Sequence, residues 1–194
     1  MAAGLFFMDS YLQEARIASH HGQFLPVFAR KCRVERIPKA IAEAFLSSFH
    51  IMGSTSCRYA YGLILSSDDK EGEEPDELLV AVSTFSGARN IPVETSEGTK
   101  TIRSFEWVRY ASLPDMRVIG GMGKTLKCFI DEVRPDDVMS YALEEKWKRK
   151  ALEKGDPGVK PIGDAYLKLG FVKEGEKIFP GGKKSIKFRL KLTY

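Results

Sequence analysis

The sequence predicts a single-domain α/β (α+β) protein: a mixed, mostly antiparallel twisted sheet of about six to seven strands with helices on both faces. Three observations predict it. Short apolar or alternating runs that read as strands recur from residue 31 to the end, interrupted by amphipathic stretches of helical period. Early strands follow one another directly, as antiparallel hairpins do, whereas a helix separates later ones, as in a β-α-β unit. A chain of 194 residues, 43% hydrophobic and 29% charged, is long enough for one well-cored domain.

Residues 1–30 form an N-terminal extension of weak periodicity, with room for a helix around 9–18. "KCRVERI" (31–37) reads as a strand. Pro38 then sits where a first helical turn tolerates it, and Ile41, Phe45 and Phe49 recur every four residues, which predicts a helix from 38 to about 49. "RYAYGLILS" (58–66) is the next strand, and the acidic, turn-rich stretch 67–77 is a solvated hairpin tip. "LLVAVSTF" (78–85) is nearly continuously apolar, like a strand covered on both faces. Residues 86–103 read as a loop.

"SFEWVRYAS" (104–112) is a strand that sets Phe105, Trp107 and Arg109 on one face and Glu106, Val108 and Tyr110 on the other. After a glycine-rich turn, Leu126, Phe129, Ile130 and Val133 fall at i, i+3, i+4 and i+7 of a helix that Pro135 ends. Residues 136–142 make a short strand, 143–161 a charged helix or excursion, 163–170 a short helix and 171–176 a strand. The last strand, "SIKFRLKL" (185–192), alternates strictly. It buries Ile186, Phe188, Leu190 and Leu192 and presents Lys187, Arg189 and Lys191, as a strand at or near a sheet edge does.

Several function classes are excluded. No apolar run reaches the roughly 18 residues of a membrane span. The start lacks a basic n-region, and its apolar patch is too short for a secretory signal. Cys32, Cys57 and Cys128 are odd in number and widely spaced, which fits neither a disulfide framework nor a zinc ribbon. Three histidines (His20, His21, His50) without a spaced carboxylate motif argue against a metal site. The expectation is a cytoplasmic protein without metal. Charge is segregated: residues 146–194 carry 14 Lys/Arg against 5 Asp/Glu, while residues 1–145 carry 16 against 21. Such a basic region attracts phosphate-bearing partners, either a cofactor or nucleic acid.

"VIGGMGKT" (118–125) nearly spells a nucleotide P-loop, G-x-x-x-x-G-K-[ST], but Val118 stands where its first glycine belongs. A P-loop also follows the first strand of a parallel sheet. Here several strands precede the turn, about 70 residues follow it, and Asp136 and Asp137 precede the apolar strand residues that a metal-binding aspartate should follow. A glycine turn between a strand and an amphipathic helix is nonetheless a good anion site, because backbone N–H groups converge at a helix N-terminus.

That turn, the strand order from 58 to 190, and "AYLKLGF" (165–171), similar to the Y-x-K-L-G-F ending of many such domains, resemble the GNAT acyltransferases, over about two thirds of the chain. The run from "SFEWVRYASLP" to "DDVMSYA" further resembles GNAT-like domains of phage and bacterial proteins, among them some attached to homing endonucleases and those related to the phage Mom DNA-modification protein. Against those relatives the basic stretch around 146–160 looks like an insertion in a domain running from 31 to 194.

The resemblance implies acetyl-CoA or another acyl-CoA as cofactor, held by Val118, Ile119, Gly120, Gly121, Met122, Gly123, Lys124 and Thr125. The family loop pattern, [Q/R]-x-x-G-x-[G/A], fits in two imperfect registers: Arg117 with Gly120 but Met122 last, or Gly121 with Gly123 but Val118 first. The resemblance makes Tyr166 the acid that protonates the departing thiolate and Glu106 the carboxylate base or substrate-orienting group. His50, Arg109 and Ser140 are expected at the acceptor or cofactor slot, with an ion pair between Arg109 and Glu106 as the structural alternative. The implied activity is acyl transfer to a small-molecule or macromolecular amine. A non-catalytic GNAT-like binding module, or a Mom-like protein that modifies nucleic acid bound through the basic C-terminal region, is the alternative.

Overall fold

A computed structural model describes residues 14–15, 17–18, 21–66, 76–143, 153–156, 159, 163–178 and 184–193 of the chain. The fold is α+β, with a mixed, mostly antiparallel sheet of eight strands and few helices. In chain order the elements are β1 (Leu25–Phe28), β2 (Cys32–Arg36), α1 (Lys39–Phe49), β3 (Tyr59–Ser66), β4 (Glu77–Phe85), β5 (Arg89–Thr95), β6 (Gly98–Ser112), β7 (Met116–Ile119), α2 (Gly121–Val133), β8 (Asp137–Leu143), α3 (Asp164–Lys168), β9 (Val172–Ile178) and β10 (Lys184–Lys191). Two compact units divide the chain: Met1–Phe85 with Arg109–Val133, and Ser86–Val108 with Arg134–Tyr194.

In the first unit the strand order is β2-β3-β4-β6. β3 and β4 pair antiparallel, so the strands flanking the acidic segment form the expected hairpin; its tip lies outside the described residues. The pleat of β3 sorts the two helices onto opposite faces. Tyr59 and Tyr61 meet Phe129 of α2 edge-on at 5.6 and 6.3 Å, while Ala60 between them packs with Ala42, Phe45 and Leu46 of α1. Phe129 also stacks on Phe85 at 3.9 Å. A bulge between Leu63 and Ile64 puts Val80 and Ala81 into one cluster with Val27, Ala29, Cys32, Leu63 and Val118.

Three strands depart from the sequence expectation. β1, inside the N-terminal extension, and β7, a stretch the sequence reading gave no element, pair parallel from Leu25↔Met116 to Phe28↔Ile119; four-residue strands are too short to show a period. β5 lies inside the stretch expected to be a loop and pairs antiparallel with β6. Pro92 and the turn at "TSEGT" masked it, yet β5 lies off the main path of the sheet, where a proline is tolerated.

In the second unit the order is β6-β8-β10-β9. β6 and β8 run parallel over four register pairs, Ser104↔Asp137 to Trp107↔Ser140, and β10 is antiparallel to both β8 and β9. β10 is therefore interior and β9 is its outer neighbour. The basic face expected on β10 is a set of ion pairs: Arg189 with Asp137 and Glu174, and Lys187 with Glu174. Asp137 is fully buried, and Leu192, expected in the core, is 38% exposed. Asp136, just before β8, ties β6 to the residues that follow β10. Its carboxylate accepts from the Arg103 backbone N–H at 2.7 Å and the Thr193 hydroxyl at 2.8 Å, which hold it below the usual carboxylate range. The possible helix at 9–18, apart from helical residues 14–15 and 17–18, and most of the 146–160 insertion lie outside the described residues.

Candidate functional site

β7 ends at Ile119, Gly120 takes the left-handed conformation at φ 80°, and α2 begins at once with Gly121. Gly121, Met122 and Gly123 are therefore the first helical turn rather than a loop. The Lys124 N–H donates to the Gly120 carbonyl at 3.0 Å, which starts the intrahelical ladder. The N–H groups of Gly121, Met122 and Gly123 precede that ladder and have no acceptor within the helix. Gly121 is buried, and a Cβ there would lie 2.3 Å from the Tyr110 hydroxyl oxygen and 2.9 Å from the Val118 side chain. Only a glycine lets the helix start this close to its sheet. Burial pushes the Tyr110 phenol up, so it stays neutral at neutral pH.

The side chains of this turn are largely used by the fold. Val118 is buried in the cluster with Val27 and Leu63. The Lys124 ammonium donates to the carbonyl oxygens of Ala29, at 3.0 Å, and Cys32. The Thr125 hydroxyl donates to the Gly121 and Met122 carbonyls. Ile119 is 42% exposed and stands opposite Phe28 in the β1–β7 pair. What the turn offers an anion is backbone.

Tyr166 sits on the five-residue helix α3, preceded by Gly163 at φ 80°. A Cβ on Gly163 would lie 2.0 Å from the Phe188 ring, so the missing side chain lets α3 seat on that buried ring. The Tyr166 ring meets Trp107 at 5.8 Å, Phe171 at 5.4 Å and Phe188 at 5.4 Å. Its hydroxyl lies 2.9 Å from Ser140 Oγ, which itself donates to the Trp107 carbonyl at 2.8 Å. Ser140, expected at the acceptor or cofactor slot, is 1% exposed.

Glu106 is half-buried, and Arg89 of β5 ion-pairs with it at 2.7 Å. Sequence reasoning offered Arg109 either as a partner of Glu106 or as a substrate-binding group, and missed Arg89, whose strand was read as loop. The Glu106 N–H also donates to Ser86 Oγ at 2.9 Å, and the Ser86 N–H donates to the Glu106 carbonyl at 2.9 Å. Arg109 is half-buried. His50 ends α1 and builds the next turn. Its Nδ1 accepts from the Met52 N–H at 3.0 Å, and its carbonyl accepts from the N–H of Gly53, a residue at φ 62°. In the neutral ring, that bond places the proton on Nε2.

Among the described residues no group of three or more His, Cys, Asp or Glu side chains is arranged to hold a metal ion. The three cysteines are free thiols, and burial pushes each above its ordinary value, which opposes a thiolate nucleophile. No helix among the described residues is long and apolar enough to cross a membrane.

No family model matches the sequence, and no curated protein matches it. Among solved structures the chain is similar to a Desulfovibrio desulfuricans protein assigned to the GNAT family of acetyltransferases, at 12% identity over 82% of this chain and 98% of that one, with a TM-score of 0.45. It is also similar to a point mutant of the AtaT toxin, at 15% identity over 86% of this chain and 93% of that one, with a TM-score of 0.37.

Proposed function

We propose that this chain is an N-acyltransferase of the GNAT type, moving an acetyl or other acyl group from acyl-coenzyme A to an amine. The observation that carries the reading is the β7–Gly120–α2 turn, where three consecutive N–H groups precede the helical ladder and two of the three residues have no side chain. Such a helix start suits a pyrophosphate, since its partial positive charge and its donors act together. The backbone then supplies what Val118 does not.

Acyl-CoA, when bound, supplies a thioester whose carbonyl carbon an amine attacks, so that a C–N bond forms as the C–S bond breaks. Tyr166 gives its hydroxyl proton to the departing sulfur. Glu106, oriented by Arg89, takes the proton that the amine nitrogen loses, directly or through water. For the acceptor, the reading favours a small or protein amine over nucleic acid, because Lys187 and Arg189 already face Glu174 and Asp137.

Acetyl-CoA incubated with the protein and a panel of primary amines, a lysine peptide and an amine-bearing oligonucleotide tests this. The expected result is release of the CoA thiol that requires both protein and amine, with an acylated product seen by mass spectrometry. Binding of acetyl-CoA without any acylated product would favour a non-catalytic module.

A further inference from the structure

We infer that Ser140 is a positioning residue for Tyr166, holding the tyrosine oxygen and turning its own proton towards it when Tyr166 gives its proton away. This deepens the acyl-transfer reading and rests on it. The Ser140 hydroxyl has one proton and two oxygen neighbours, the Trp107 carbonyl at 2.8 Å and the Tyr166 hydroxyl at 2.9 Å. A carbonyl only accepts, whereas a phenol hydroxyl does both. In the resting arrangement Ser140 therefore donates to Trp107, and Tyr166 donates to Ser140 Oγ.

When the Tyr166 hydroxyl turns its proton from Ser140 Oγ to the departing sulfur and gives it up, the phenolate left behind accepts only. The rotatable Ser140 hydroxyl then turns from the Trp107 carbonyl to the phenolate, and solvent later returns a proton to Tyr166. The site is built for this contact. Trp107 and Ser140 are the last register pair of the parallel β6–β8 ladder, which thus closes on a side-chain hydrogen bond, and Ser140 is 1% exposed, so bulk water does not replace its hydroxyl.

A hydrogen bond donated to the charged form lowers a phenol's pKa, and losing it raises that pKa. The Tyr166 phenol is followed by NMR of tyrosine labelled at Cζ, with Tyr166→Phe identifying its signal. In Ser140→Ala the phenol is expected to titrate at higher pH than in the wild type. Acetyl-CoA turnover is expected to fall about 10–100-fold in kcat, the worth of one hydrogen bond to a charged oxygen, with the alkaline limb of the pH profile displaced upward. Ser140→Cys, of similar shape but a weak donor, is expected to move both readouts the same way and serves if Ser140→Ala does not fold. An unmoved Tyr166 titration overturns the inference. So does a fall in kcat with an unmoved alkaline limb, which loss of packing alone would give. Absence of acyl transfer by the wild type would contradict the acyl-transfer reading itself, whereas the titration reads the Ser140 hydrogen bond independently of turnover.

Discussion

Replacing Tyr166 with phenylalanine is expected to lower kcat about 10²–10⁴-fold, the usual contribution of a positioned general acid. The substitution removes one oxygen and keeps the ring, so the contacts with Trp107, Phe171 and Phe188 survive. KM for acetyl-CoA is expected to change little, because the lost interaction belongs to the departing thiolate and not to the bound ground state. Single-turnover kinetics, with circular dichroism to confirm the fold, measure the chemical step directly. A wild-type rate where chemistry limits turnover would assign Tyr166 to packing.

Replacing Arg189 with alanine is expected to cost about 3–5 kcal/mol of stability, as removal of one partner of a buried ion pair does. Asp137 is 0% exposed and Arg189 12%, so the carboxylate left behind has neither its cation nor ready access to water. Glu174 loses its Arg189 partner in the same step. Burial works to raise the Glu174 carboxyl, but hydrogen bonds from Arg189 and Lys187 outweigh it and leave the carboxyl below its ordinary value. Its contribution to stability is therefore present above the unfolded carboxylate pKa and lost as pH falls through the lower folded value. In Arg189→Ala that acid dependence flattens. Urea unfolding at neutral and acid pH, with Asp137→Asn in the same background, measures both effects; a cost below about 1 kcal/mol would put the pair among solvent-screened surface bridges.

The sequence was legible where one residue pattern reported one environment. The apolar run of β4 announced a strand buried on both faces, and Leu126 and Phe129 marked the inner face of α2. The α1 stripe was read a little off: Ala42, Phe45 and Leu46 face the core, while Ile41 is 47% exposed. Alternation in β10 separated apolar from basic positions. It could not show that the basic side chains meet Glu174 and Asp137, which lie 15 and 52 residues away from Arg189 in sequence.

The candidate site divides in the same way. Glycine spacing located the β7–α2 turn, because a left-handed Gly120 and a crowded Gly121 are backbone demands written locally. Lys124 looked like a phosphate ligand from its motif, yet the carbonyls of Ala29 and Cys32 that engage it come from the segment before α1. The Ser140–Trp107 contact depends on the parallel register of strands 33 residues apart, which no local pattern encodes.

Calorimetric titration of acetyl-CoA into the wild type and into Gly123→Val tests the proposed cofactor turn most directly. Gly121 is unsuited to this test, since any Cβ there strikes Tyr110 and Val118 and disturbs the core. Gly123 is half-buried in the first turn of α2, and a valine there adds a branched side chain beside the backbone donors. The expected result is saturable heat for the wild type and an affinity at least about tenfold weaker, roughly 1.4 kcal/mol, for a Gly123→Val protein that melts like the wild type. No heat from the wild type at millimolar acetyl-CoA, or equal affinity in the folded variant, would contradict it.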